Sequence, residues 1–324
     1  MKVYITRCTD PALNLAAEER LMQEPGDIFF LWQNAPVIVI GRNQNAYREI
    51  NLDYVKEHGI AVVRRNTGGG AVFHDLGNYN FSFITDALPD SALDFERFTR
   101  PIVDYLKSLG LPAAFSGRND IALDGKKISG NAQCVIGGRF LSHGTLLYQV
   151  RMSDLTAALR PDPLKIRSKG IESVRARVTN ICEYLPDAPP VSEFAAGLAQ
   201  FVAAQSGAEP CELDPAADPE TAALAEKKYR SWEWVFGENP EYSFKKTAKY
   251  PGGILEIGME ISGERIERLS INGDFLATED IAPLRAALLG QPHREEDLRR
   301  AIAGLELSRY LGTITADELI ATLF

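Results

Sequence analysis

The chain has 324 residues, 45% of them hydrophobic and 24% charged, with a formal net charge of −9. That composition excludes a disordered chain and, with this acidity, a general nucleic-acid binder. The length suggests two domains or one large domain with an appendage; no apolar run reaches the roughly 18–20 residues that a membrane helix needs.

Val3–Arg7 reads as a strand. Asp10 caps a helix with Pro11 in its first turn, reaching about Met22. Asp27–Gln33 and Val37–Gly41 are strands joined at Asn34-Ala35-Pro36. Asn51–His58 is a short helix stopped by Gly59, and Ile60–Arg65 is the next strand. Asn78–Ile84 follows, with Tyr79, Phe81 and Phe83 alternating onto one face. Asp94–Leu109 is a helix in which Pro101 implies a kink or a later start. A glycine-punctuated strand region spans Ala113–Val150. Arg160–Lys169 is irregular and basic, Val191–Ser206 is a helix, and Cys211–Glu220 is expected to be a surface connection. A small unit starts near Phe244: Ile254–Ile261 and Ile266–Ile271 pair across Ser262-Gly263, and helices follow at Ile281–Leu289 and Glu295–Gly304.

Residues 1–183 carry 22 basic and 20 acidic groups, a net of +2; residues 184–324 carry 13 and 24, a net of −11. The first part thus reads as a chemical domain with an α+β or mixed α/β sheet. The start, Met1-Lys2-Val3-Tyr4-Ile5, is followed by polar residues, so no signal peptide is expected and a cytoplasmic protein is. Cys8, Cys134, Cys182 and Cys211 lie far apart, as do His58, His74, His143 and His293, so local spacing offers no metal site. A magnesium ion arriving with a nucleotide needs only one or two protein carboxylates.

Three segments carry candidate chemistry. The first runs from Arg64-Arg65 through Gly68-Gly69-Gly70-Ala71-Val72-Phe73-His74 to Asn78. Successive glycines let the backbone approach a ligand and turn N–H groups toward an anion. Two arginines can supply charge for a carboxylate or phosphate. A flexible turn with solvated arginines is the alternative. The second holds Asp120, the hairpin signal Asp124-Gly125, then Lys126-Lys127 and Ser129-Gly130-Asn131-Ala132. Successive strand residues face opposite ways, so one lysine can point inward and stabilise charge developing at phosphorus. Asp120 could bind magnesium or orient a partner. A solvated hairpin is the alternative here. The third, Ser142-His143-Gly144-Thr145, puts a polar group beside a glycine, although a histidine such as His143, taken alone, is more often a satisfied core residue than a catalyst.

In this order, together with Asn14-Leu15-Ala16-Ala17-Glu18-Glu19, Leu31-Trp32-Gln33-Asn34, Ile40-Gly41-Arg42-Asn43-Gln44-Asn45, Ser168–Asn180 and Trp232–Gly237, these segments resemble the lipoate–protein ligases over about residues 1–240. The resemblance implies a mixed-sheet catalytic domain of the biotin/lipoate ligase type (1–243) and a small α+β accessory domain (244–324). It implies ATP-dependent activation of lipoate to lipoyl-AMP with Mg²⁺. Transfer to a lysine of an acceptor lipoyl domain follows, the acceptors being 2-oxoacid dehydrogenase E2 subunits and the glycine-cleavage H protein.

Carried over by motif, Lys127 is the catalytic residue, touching the lipoate carboxylate and the α-phosphate. Arg65 and Gly70-Ala71-Val72-Phe73 hold the nucleotide, Gly68 and Gly69 shape the lipoyl pocket, and Asn78 and His143 are further substrate-side candidates. Asp120 is the candidate for magnesium or for orienting the acceptor lysine. Val72 and Leu146 are candidates to line an apolar tunnel, and Arg175 and Arg177 to clamp the adenylate. Two alternatives stand beside this reading: an octanoyl or lipoyl transferase using Cys134 as nucleophile without ATP, and a lipoate sensor without catalysis.

Overall fold

The structure, a computed structural model, describes residues 1–87, 93–159, 178–236 and 244–324. Its main sheet is built from β1 (Lys2–Ile5), β2 (Ile28–Gln33), β6 (Asn78–Asp86), β7 (Ala113–Ser116), β8 (Asp120–Leu123), β9 (Lys126–Ile136), β10 (Arg139–Leu147) and β11 (Pro210–Glu212). They lie in the order β11-β1-β2-β6-β10-β9-β8-β7. β1 runs parallel to both β2 and β11, and the other pairs are antiparallel. A second sheet, β4-β3-β5, is made of β3 (Val37–Ile40), β4 (Ala61–Arg64) and β5 (Val72–His74).

Strand alternation sorts the main sheet's residues into two faces. One carries Phe29, Leu31, Tyr79, Phe81 and Phe83, packed against the helices Phe95–Ser108 and Val191–Ala204. The other carries Ile28, Phe30, Trp32 and Ile84, packed against the helix Pro11–Leu21 and against Val37, Val39 and Val63 of the small sheet. The result is helices, main sheet, then a layer made of the helix Pro11–Leu21, the helical segment 219–229 and the small sheet. The expected α+β class with a mixed sheet is the class observed.

Local chemistry sets most element ends where the sequence implies. Asp10 accepts hydrogen bonds from the backbone N–H of Ala12 and Leu13, capping Pro11–Leu21. Asn51 caps Leu52–Glu57. Asp124 and Gly125 have φ of +46° and +77°, the left-handed pair that a two-residue hairpin needs, and they join β8 to β9.

The helix expected over Asp94–Leu109 is present as Phe95–Ser108, begins at its Asp94 cap and runs through Pro101 without a later start. Other elements differ from expectation. The 211–220 stretch is not simply a surface connection: β11 extends the sheet edge beside β1, and a helix starts at Pro219. Three residues of edge strand carry too little periodicity to be read. The basic stretch 160–177, with Arg175 and Arg177, lies outside the described residues.

The expected boundary at 243/244 abuts residues 237–243, also outside them. From Phe244 onward, β12 (Phe244–Tyr250), β13 (Gly253–Ser262) and β14 (Arg265–Gly273) form an antiparallel sheet. It shares a core of Leu255, Ile257, Leu284, Leu298 and Leu319 with the helices Ala282–Leu288, Glu295–Ile302 and Ala316–Leu323. The last of these was not anticipated, although Thr315 and Glu318 form a reciprocal capping box at its start.

Gly144 of β10 shows how tightly neighbouring strands of the main sheet pack: a Cβ there would stand 2.6 Å from Cζ of Phe81 on β6 and collide with the Asn131 side chain on β9. Gly144→Ala is therefore expected to destabilise the protein by about 1–3 kcal/mol, the usual cost of overpacking, read as a lower midpoint in urea unfolding.

Candidate active site

A cavity of about 180 Å³ lies between the main sheet and the small sheet. Leu15, Trp32, Val39 and Val72 give it apolar walls, and Arg65, Lys127 and the Gly69-Gly70 turn give it a cationic, backbone-rich side. It suits a ligand with an apolar body and an anionic head.

Arg65 anchors this side. Its guanidinium is buried and donates to Oγ1 of Thr67 (3.0 Å) and to the carbonyls of Val39 (3.1 Å), Gly68 (2.7 Å) and Gly70 (2.8 Å). Burial draws its pKa down to about 10, which leaves it charged at neutral pH. The two glycine carbonyls are thereby held toward Arg65, and the turn takes its shape from that cation. Gly69 sits at φ +90°, a left-handed conformation open to glycine. Thr67 in turn meets His143 Nε2 at 2.7 Å, and His143 Nδ1 meets Glu18 Oε1 at 2.8 Å. Ser82 also donates to Glu18 Oε1 (2.5 Å) and receives the Trp32 indole N–H (2.9 Å). A continuous buried chain therefore runs from Trp32 to the glycine turn.

Lys127 enters from the far side, on β9. Its Nζ stands 2.7 Å from Asp120 Oδ1. The β8–β9 register slips between Ile121 and Ala122, leaving Ile128 as an extra residue on β9. This bulge reverses the alternation, so Lys127 and Gly130, three apart, both face the cavity. Lys126 remains exposed.

Comparison with known proteins decides the family. Residues 10–203 match the lipoyl protein ligase A/B catalytic domain, and residues 239–323 match the bacterial lipoate protein ligase C-terminus. A lipoate–protein ligase of Staphylococcus aureus is 41% identical over 96% of this chain and 96% of its own. The chain belongs to the lipoate–protein ligase family. The protein LipL1 of Plasmodium falciparum, solved in complex with lipoate, superposes with a TM-score of 0.82 at 26% identity, over 99% of this chain and 98% of that one. A bipartite lipoate protein ligase from Thermoplasma acidophilum, from a study of it and its E2 lipoyl domain, gives 0.61 at 27% identity, covering 75% and 100%. A lipoate-protein ligase A bound with ATP gives 0.60 at 26% identity, covering 73% and 99%.

The structure gathers Arg65, Gly69, Gly70, Ala71, Val72, Lys127 and His143 around this cavity. Asp120 lies just behind Lys127. Gly68 is turned away against the C-terminal unit, where a Cβ would stand 2.5 Å from the Phe275 carbonyl. Phe73 points into the core with Ile38 and Ile40, because its neighbours Val72 and His74 take the cavity face of β5. Asn78 is fully buried, and its amide donates to Asn80 Oδ1 (3.0 Å). Leu146 does not line the cavity: His143 and Thr145 face it, so alternation sends Leu146 to the helix-covered face.

Arg64, adjacent to Arg65, is no ligand group. Its guanidinium is taken up by the carbonyls of Gly41 (2.8 Å), Gln44 (2.6 Å) and Val235 (2.7 Å). Cys134 is buried with Ile84 and Leu141, and burial pushes its thiol well above the ordinary value of 9, which removes the thiolate that a transferase would need. Trp32, His74, Asn80, Asn119, Gly130 and Asn131 line the cavity without having been assigned roles. The polar alternation Asn78, Asn80, Ser82 along a strand otherwise rich in phenylalanine was the readable signal.

Two outcomes follow. A Cβ on Gly130 would stand 2.8 Å from Nζ and 3.1 Å from Cε of Lys127, the movable end of a flexible chain. Gly130→Ala is expected to leave the melting temperature within a few degrees while displacing the ammonium and lowering kcat at least tenfold. Burial, with Arg65 and His143 adding, pulls the His74 ring down from 6.5 to about 3. The unfolded chain therefore takes up a proton below pH 6.5 that the folded one refuses, so stability is complete above 6.5 and declines as pH falls toward 3. His74→Gln should flatten that decline by about 2 kcal/mol between pH 7 and 5, measured by urea unfolding at both.

Proposed function

We propose that this protein is an ATP-dependent lipoate–protein ligase that converts lipoate to lipoyl-AMP and passes the lipoyl group to a lysine of an acceptor lipoyl domain. The observation that carries this reading is the cavity's polarity: apolar walls from Leu15, Trp32, Val39 and Val72, with Arg65, Lys127 and the glycine turn bordering the same space. A lipoate-bound and an ATP-bound relative of the same fold support it.

In the first step a carboxylate oxygen of lipoate bonds to the α-phosphorus of ATP and the bond to pyrophosphate breaks. Two anions must approach, so the Lys127 ammonium beside the attacking oxygen and the α-phosphate lowers the barrier by offsetting their repulsion. Magnesium would accompany the phosphates. Asp120 suits it, since among the described residues its buried Oδ1 has no partner besides the Lys127 ammonium, and one carboxylate is enough for this ion. In the second step a neutral lysine amine of the acceptor bonds to the acyl carbon, AMP leaves, and the amine gives up a proton. The apolar walls keep water from the anhydride between the two steps. The acceptor class is suggested by the E2 lipoyl domain studied with the Thermoplasma ligase.

Intact mass of an apo lipoyl domain, incubated with the protein, Mg-ATP and lipoate, tests the whole reading. One lipoyl addition is expected, dependent on ATP, and slowed about 10²–10³-fold by Lys127→Ala. Addition without ATP would favour a transferase. Tight lipoate binding with neither addition nor lipoate-dependent pyrophosphate exchange would mean a sensor.

A further inference from the structure

His74 is 3% exposed and lines the cavity, yet its Nε2 meets no hydrogen-bond partner among the described residues. The other ring nitrogen, Nδ1, lies 3.2 Å from Nδ2 of Asn34. Which nitrogen bears the proton follows from a chain of groups that starts at the backbone. Nδ2 of Asn14 faces the carbonyls of Cys8 (3.0 Å) and Gln33 (2.8 Å), which can only accept, so that end of Asn14 is its NH₂. The same NH₂ is 3.1 Å from Asn34, which must therefore turn its oxygen toward it. The Asn34 NH₂ is then left to donate to His74 Nδ1. The lone pair is on Nδ1 and the proton on Nε2, the atom with no partner. Asn80 Nδ2, also in the cavity, is likewise without an acceptor.

The position of this donor selects what can accept from it. Lys127 is on β9, whereas His74 is tied to Asn34, the residue that follows β2. In the order β2-β6-β10-β9 the strands that carry Asn34 and Lys127 are three spacings apart, roughly 14 Å between backbones at the usual separation. A ligand whose carboxylate is held at Lys127 therefore meets His74 with a part of its chain away from that carboxylate. On the reading of the substrate proposed above, the acceptor atoms that a lipoyl group carries at its far end are the two ring sulfurs.

We propose that Asn34 positions His74 as an Nε2–H donor to the disulfide ring of the bound acyl group, so that the pair sets preference for a sulfur-bearing acyl acid over a plain fatty acid of similar length. Thioether-type and disulfide sulfurs are weak acceptors, and the gain is correspondingly modest. The neutrality of the buried ring keeps a second donor from forming at Nδ1.

The test compares kcat/KM for lipoate and for octanoate in acid-dependent pyrophosphate exchange. His74→Leu and Asn34→Ala are each expected to lower the lipoate-to-octanoate ratio about three- to tenfold, with the change in KM rather than kcat. His74→Gln, whose amide places an N–H near the same point, should restore most of the ratio. Ring ¹⁵N shifts of the wild-type protein should show His74 protonated on Nε2 and bare on Nδ1, and Asn34→Ala should mix the two tautomers. An unchanged ratio, an equal loss for both acids, or a proton found on Nδ1 would overturn the proposal. Absence of exchange in the wild type with either acid would instead sink the ligase reading. Lipoate and octanoate affinities of the same variants by calorimetry would still decide the role of His74.

Discussion

A buried guanidinium must find acceptors, and much of the site is arranged around that requirement. Arg65 lies between the two sheets, where an unpaired cation would be prohibitively costly. The carbonyls that satisfy it belong to Val39, Gly68 and Gly70, so the small sheet and the glycine turn are fixed by the same group. Thr67, His143 and Glu18 extend the constraint into the main sheet and the helix Pro11–Leu21. The turn is thus held in place by side chains drawn from three separate stretches of chain. Its glycines supply freedom of backbone, and Arg65 removes it again.

The second constraint concerns aim. A lysine on a regular strand would face according to its parity alone. The extra residue at Ile128 lets Lys127 share the cavity with Gly130, where the missing side chain leaves room for the ammonium. Asp120 holds that ammonium from behind. Such a pair, half-exposed and facing an open cavity, is available to exchange its partner for an anionic ligand.

The C-terminal unit bears directly on the turn. The Gly69 N–H donates to the Phe275 carbonyl (3.3 Å), the Gly273 N–H to Asn43 (2.7 Å), and the Val135 N–H to Thr278 (2.6 Å). Arg42 pairs with Asp280 while its guanidinium lies 4.2 Å over the Trp234 ring. Lys228 caps the same ring and donates to Glu19 (2.6 Å) and Asn66 (2.9 Å). The segment 225–236, the loop after β3 and the C-terminal unit therefore meet around one tryptophan. In this arrangement the N–H of Gly69 is already committed, so a phosphate at the turn would compete with Phe275 for it.

The order of elements, the caps at Asp10 and Asn51, the hairpin at Asp124-Gly125 and the alternation of Tyr79, Phe81 and Phe83 were legible in the sequence, because each depends on residues within a few positions of one another. Lys127 lies far in sequence from Arg65 and the glycine turn, and their combination was legible only through the family resemblance. The short strand β11 and the helix Ala316–Leu323 were not anticipated: the strand is too brief for a periodic signal, and the helix was missed although its capping box, Thr315 with Glu318, is local. Only the tertiary structure decided which of two adjacent arginines borders the cavity, since Arg64 and Arg65 differ in nothing but the face of β4's end that each occupies. It also decided that Cys134 is a core residue and that Leu146 turns away from the cavity. The same holds for His74, whose proton is assigned by Asn14 and Asn34 through backbone carbonyls far away in sequence. Local chemistry fixes what a residue can do, and the packing of distant strands fixes what it faces.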